Sequence, residues 1–139
     1  MANVNVEAKK DFGSGWSNER VFVKMTYDFS VDGGAIADTY LMGVCKSKML
    51  VTEAVVMVED QVLSAGAAVL NMGVSGGDVD AFLDNTNGAK AVLLDDAVFE
   101  QSASNPMVLA DEAVVQMTIA TAALTAGKVT LYISGYNAL

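Results

Sequence analysis

The chain has 139 residues, enough for one domain with a hydrophobic core that needs no disulfide or metal. Apolar residues make up 53% and charged residues 18%, against about 25% charged in an ordinary globular domain, so the apolar surplus points to a subunit interface in an obligate oligomer. Eight Lys and Arg against 17 Asp and Glu give a net charge of −9, which excludes the basic footprint of a nucleic-acid binder or of a protein held on an anionic membrane.

Residues 1–18, "MANVNVEAKKDFGSGWSN", mix charge, two glycines and two isolated aromatics, Phe12 and Trp16, with no sustained period. An N-terminal arm is expected there, followed by one β-domain over 19–139. Lys9, Lys10 and Arg20 place three of the eight positive charges in or beside the arm, and an aromatic on an arm is a good anchor for a partner's pocket. These three cations with Phe12 and Trp16 are the candidate interface residues. The opening "MANVNVEAKK" has no apolar signal core, so export by that route is not expected. No apolar run approaches the roughly 18 residues that span a bilayer.

In "VFVKMTYDFSV" the apolar residues Val21, Val23, Met25, Tyr27, Phe29 and Val31 fall on odd positions, with Lys24, Thr26, Asp28 and Ser30 between them. A period of two predicts a strand over 21–31 with one buried face, ended by the turn Asp32-Gly33-Gly34. Residues 36–45 and the valine-rich 49–58 predict two more strands. Cys45, the one cysteine, can form no intrachain disulfide and reads as a small buried hydrophobe.

Two segments look alike: "LSAG" at 63–66 and "LTAG" at 124–127. Both predict β-hairpins, with the glycine free to take positive φ. The second would join "AVVQMTIAT" to "KVTLYISGY", whose Val115, Met117, Ile119, Val129, Leu131 and Ile133 can face one core layer. Between the two lies "GGDVDAFLDNTNGAK" at 76–90. Asp78 there suits the N-cap of a short helix over 78–85, Phe82 and Leu83 would anchor it, and Asn87-Gly88 would turn into a strand "AVLLDDAVF". In that strand Asp95 and Asp96 would point to opposite faces, which rules out a paired-carboxylate site. Pro106, after the polar run "EQSASN", marks a loop. The sum is an all-β, antiparallel sandwich of about eight strands.

Little in the sequence carries chemistry. There is no histidine, which removes the commonest general base and nearly every zinc arrangement. "GVSGG" at 73–77 is followed by no Lys-Ser or Lys-Thr, so it is a loop and not a phosphate cradle. No catalytic residue and no cofactor are expected, and the chain is not expected to be an enzyme. The acidic loop fails the spacing of a helix-loop-helix calcium site, because counting from Asp78 puts Phe82 at position 5, Leu83 at 6 and Ala89 at 12. An irregular calcium site with Asp78, Asp80 and Asp84 stays open as the one metal candidate.

The succession "ADTYLMGV", "MLVTEAVVMVED", "SAGAAVLNMGVSGGDVDAFLDNTNGA" and "LTAGKVTLYISGY" resembles the decoration, cement or head-stabilising proteins of tailed bacteriophages, over roughly residues 36–136. The resemblance lies in segment order and loop style. It implies a sandwich or jelly-roll-like fold, a trimer seated on three-fold or quasi-three-fold axes of the capsid exterior, and no chemistry. The implied partner is the major capsid protein, and the implied site of assembly is the host cytoplasm. Another virion component, such as a head-fibre or tail protein, shares this style. A different class also stays open: a calcium-dependent adhesin or carbohydrate-binding sandwich that would combine the acidic loop with Trp16, Tyr132 and Tyr136.

Overall fold

Apolar side chains at every second position can reach one core only from an extended chain, and the computed structural model is built of such strands. It describes residues 20–36, 39–45, 48–100 and 107–137. The expected arm, with Lys9, Lys10, Phe12 and Trp16, and the loop at Pro106 lie outside these residues. The strands are β1 (Arg20–Asp28), β2 (Thr39–Val44), β3 (Met49–Ser64), β4 (Val69–Val74), β5 (Val98–Glu100), β6 (Met107–Leu109), β7 (Val114–Ala120) and β8 (Leu124–Asn137). A single helical turn, α1 (Phe29–Asp32), follows β1, and a 3-10 turn spans Lys90–Val92.

The strands form two antiparallel sheets. The larger has the order β1-β8-β3-β5, with β6 also paired to β3, and the smaller has the order β2-β7-β4. The pairs β1 with β8, β2 with β7 and β3 with β6 are those of one long antiparallel ribbon rolled around a core, which is a jelly roll. Among the described residues the fourth ribbon pair is missing, because β5 lies on β3 beside β6. The core sits between the sheets. Val51, Val56, Val58, Val129, Leu131 and Ile133 fill it from the larger sheet, and Leu70, Met72, Val115, Met117 and Ile119 from the smaller.

Several sequence expectations need correction. Neither Leu-x-Ala-Gly segment is a hairpin. β3 and β4 belong to different sheets, as do β7 and β8, so residues 65–68 and 121–123 are crossovers. The expected core faces of β7 and β8 are right, but they meet across the core and not along a ladder. "LTAG" opens β8 itself, and Leu63 pairs with Ala126 and Ser64 with Leu124. The two similar segments are therefore neighbours. Their small residues let the crossovers touch, since a Cβ at Gly66 would lie 2.9 Å from that of Ala122. Gly127 takes φ +120° at a bulge, where a Cβ would stand 2.6 Å from the Cα of Val62.

β1 stops at Asp28, and Val31 is 77% exposed. The Asp28 carboxylate accepts hydrogen bonds from the Ser30 amide (2.9 Å) and hydroxyl (2.6 Å), and this cap wins over continued alternation. Residues 78–85 form turns with no helix, because the Asp78 carboxylate takes the Asp80 amide in a local turn. Most of 91–99 is likewise no strand. Asp95 accepts from the Gln61 amide (2.6 Å) and Asp96 sits at φ 64°, so both occupy a turn ahead of β5.

Candidate interaction surface

The acidic loop covers a sheet edge. β4 is an edge strand of the smaller sheet, with backbone groups that need partners. The Leu70 amide donates to Gly88 (2.8 Å), Met72 exchanges hydrogen bonds with Phe82 and Leu83, and Val74 donates to Asp78 (2.9 Å). Phe82 and Leu83 are buried, as their placement in the sequence predicts. Gly88 allows the close approach, because a Cβ there would run into the Leu70 carbonyl oxygen. The loop thus stands where the ribbon's missing strand would lie.

Its carboxylates serve the loop. Asp84 accepts from the Thr86 and Asn87 amides, each at 3.0 Å. A hydrogen bond between the carboxyl groups of Asp78 and Asp80, and then burial, raise the Asp80 pKa above the usual aspartate range. Among the described residues no three metal-binding side chains converge, so Asp78, Asp80 and Asp84 form no such group.

The outer face of the larger sheet differs in kind. Alternation with buried Leu131 and Ile133 turns Tyr132, Ser134 and Tyr136 of β8 outward. Opposite them on β1 stand Lys24, Phe22 and Arg20. Phe22 is 74% exposed, and it stands in one row with the exposed rings of Tyr132 and Tyr136 across the strand pair. The Arg20 guanidinium lies 5.3 Å from the Phe22 ring centre and 5.7 Å from that of Tyr136, and the Lys24 ammonium lies 5.8 Å from that of Tyr132. These are cation–π distances. Arg20 also donates to the Ser134 hydroxyl. Ser134 is the small residue of the row, and it leaves a dent of about 290 Å³ walled by Phe22, Lys24, Tyr132 and, from β3, Glu53 and Val55. Val98 and Val108 extend the apolar surface toward the far edge. Aromatics and arginine around a dent are what a partner's side chain is best held by.

Of the expected interface residues, Arg20 alone lies among the described residues, and it lies on this face. Phe22 and Lys24 join it there, beyond the interface residues that the sequence marks. The signal for Phe22 was a large aromatic out of phase with the buried row of β1. Tyr132 and Tyr136 are surface aromatics, but they stand on the larger sheet while the acidic loop is bound to the smaller one, so the two do not form one carbohydrate site.

No protein-family model matches the sequence, and no curated protein sequence matches it. Solved structures do match the fold. A chain of the cyanophage Pam1 capsid asymmetric unit is 18% identical with a TM-score of 0.67, over 90% of this chain and 89% of that one. A chain of the capsid of Ralstonia phage GP4 is 18% identical with a TM-score of 0.59, over 88% and 86%. One of the acid-stable capsid of Helicobacter pylori bacteriophage KHP30 is 14% identical with a TM-score of 0.57, over 86% and 92%. Nearly the whole of this chain therefore shares its fold with chains found in three phage capsids.

Proposed function

We propose that the protein is a structural virion component that binds the outer surface of a phage capsid and stabilises the head. It acts as a homotrimer at three-fold or quasi-three-fold positions, its partner is the major capsid protein, and assembly occurs in the host cytoplasm. One observation carries the reading: the aromatic and cationic outer face of the larger sheet, on a fold shared with capsid chains. The apolar surplus of the composition is consistent with it. Arg20, Phe22, Lys24, Tyr132 and Tyr136 form the contact, and Lys9, Lys10, Phe12 and Trp16 of the arm extend it. The role is mechanical, since bridging neighbouring subunits requires affinity and no reaction.

The test uses shells assembled without this protein, mixed with the purified chain and sedimented. Saturable binding is expected. Phe22→Asp should weaken it at least about tenfold, a loss of ~1.4 kcal/mol, and leave the circular dichroism unchanged. Absence of saturable binding overturns the reading, and unchanged binding by Phe22→Asp moves the contact to another face. Light scattering that gives a monomer mass at micromolar concentration would remove the trimer.

A further inference from the structure

A sheet edge carries backbone groups that need a partner or a guard, and this fold guards its edges unequally. At β4 the acidic loop covers the edge. β2 breaks register between Leu41 and Gly43, and β5 and β6 have only three residues each. β1 has none of these guards. Its nine residues hold no proline or glycine and pair with β8 in unbroken register, and β8 is their one strand partner among the described residues. Beside this edge the two sheets part into an apolar hollow of about 230 Å³. Val21, Val23 and Met25 line it from β1, Val44 and Cys45 from the end of β2, and Met49 from the start of β3. Val23 and Met25 point at the core yet stay half-buried, while Ile133 and Leu131, opposite them on β8, are buried. Full burial therefore stops one strand short of the edge.

We propose, resting on the capsid reading, that β1 accepts an added strand from the capsid partner: an extended segment with apolar side chains at every second position and carboxylates between them. Such a strand would lie about 4.8 Å from β1 and bond to its open backbone groups. Its inward side chains would enter the hollow beside Val21 and Val23. Its outward side chains would stand next to Arg20, Phe22 and Lys24, which are all exposed, so the added strand continues the aromatic and cationic face. Charge selects the occupant. In a chain of net charge −9 this strand presents Arg20 and Lys24, and carboxylates opposite them are favoured. A second copy fits less well, because two β1 strands paired antiparallel about Phe22 or Lys24 would set these cations directly opposite one another.

Hydrogen exchange tests this on the intact chain, free and bound to shells assembled without it. In the free chain the β1 amides that do not face β8 should exchange fast at every protein concentration. On the shells they should slow on the order of tenfold or more, with the β4 amides unchanged. Val21→Asp puts a charge at the mouth of the hollow and leaves the outer face intact, and it should weaken shell binding about tenfold. Lys24→Glu should weaken binding more than Lys24→Gln, as carboxylates in the partner require. Saturable binding without slowing at β1 overturns the proposal and leaves the capsid reading standing, whereas absence of binding overturns both. Unchanged binding by a folded Val21→Asp also overturns it, and equal binding by Lys24→Glu and Lys24→Gln removes the carboxylates. Slow exchange of those amides in the free chain would mean an edge already occupied, by the same chain if it is independent of concentration and by a second copy if it grows with concentration, and either result overturns the proposal.

Discussion

Along β1 the inward side chains change from buried at Tyr27 to half-buried at Met25, Val23 and Val21. The Tyr27 end is closed by local sequence. Tyr27 packs against Phe29 at 5.1 Å and Tyr40 at 5.4 Å between ring centres, and its hydroxyl donates to the Asp32 and Gly33 carbonyl oxygens at 2.9 Å each. Asp28 ends the strand and α1 folds Phe29 over the core. The Val21 end has valines, a methionine and a cysteine, and these line a hollow without filling it. The lesson is that a rolled ribbon shuts itself where large side chains sit in its own turns. Where the inward side chains are valines and a methionine, the sheets stay parted.

Truncation should separate the two ends most sharply. Leu131→Ala, in the closed core, should cost about 2–5 kcal/mol in denaturant unfolding. Val23→Ala, in the wall of the hollow, should cost about 1 kcal/mol or less, since its methyls are only partly removed from water at ~0.8 kcal/mol per buried carbon. Equal losses would erase the distinction between the ends.

The smaller sheet has its own closure, and Gly88→Ala tests it. An added methyl must push the loop off the Leu70 carbonyl, at about 1–3 kcal/mol for an overpacked site. Hydrogen exchange should then quicken at the Leu70 and Met72 amides. If protection there is unchanged, the loop does not guard the β4 edge.

The aromatic cap should show itself in alkali. Burial first, then Tyr40 and Asp32, push the Tyr27 pKa up to about 12. A folded pKa above the unfolded value of about 10 means that the native state keeps the proton longer, so this stability is whole below pH 10 and is lost as the pH rises toward 12. Tyr27→Phe should lower stability by about 0.5–1.5 kcal/mol at neutral pH, the worth of its hydrogen bonding, and should flatten that alkaline decline.

The smallest effect belongs to Asp80. Its raised pKa means that the native state holds a proton that the unfolded chain releases earlier, so stability falls as the pH rises through the range just above the ordinary aspartate value. Asp80→Asn should remove that slope and change neutral-pH stability by no more than about 0.5 kcal/mol. Calcium at about 10 μM, a sensor-range concentration, should leave the melting temperature of both proteins unchanged. A calcium-dependent rise that is absent in Asp80→Asn would reinstate the irregular metal site.

How far the sequence could be read follows from these contrasts. The alternation in β1 and β7 was legible because one-sided burial writes a period of two, and Tyr27, Met117, Ile119, Leu131 and Ile133 are buried as expected. Sheet membership was not legible. A strand with one buried face looks the same whether the next strand pairs with it or lies across the core, so "LSAG" and "LTAG" looked like hairpins. The end of β1 is hidden in the sequence because Phe29 and Val31 continue the alternation that the Asp28 cap breaks. The role of the acidic loop depends on backbone pairing with distant β4, which no local motif records. On the candidate interaction face, the sequence marks Arg20 as an interface residue and Tyr132 and Tyr136 only as surface aromatics of a carbohydrate-binding alternative, while Phe22 is lost among the apolar residues of its strand.

Cryo-electron microscopy of virus particles that contain this chain tests the proposed role most directly. Density for the two-sheet roll is expected on the outside of the shell, in groups of three, with Phe22, Tyr132 and Tyr136 against the major capsid protein. A particle that lacks this density, or that carries the roll within a tail or inside the shell, would contradict it.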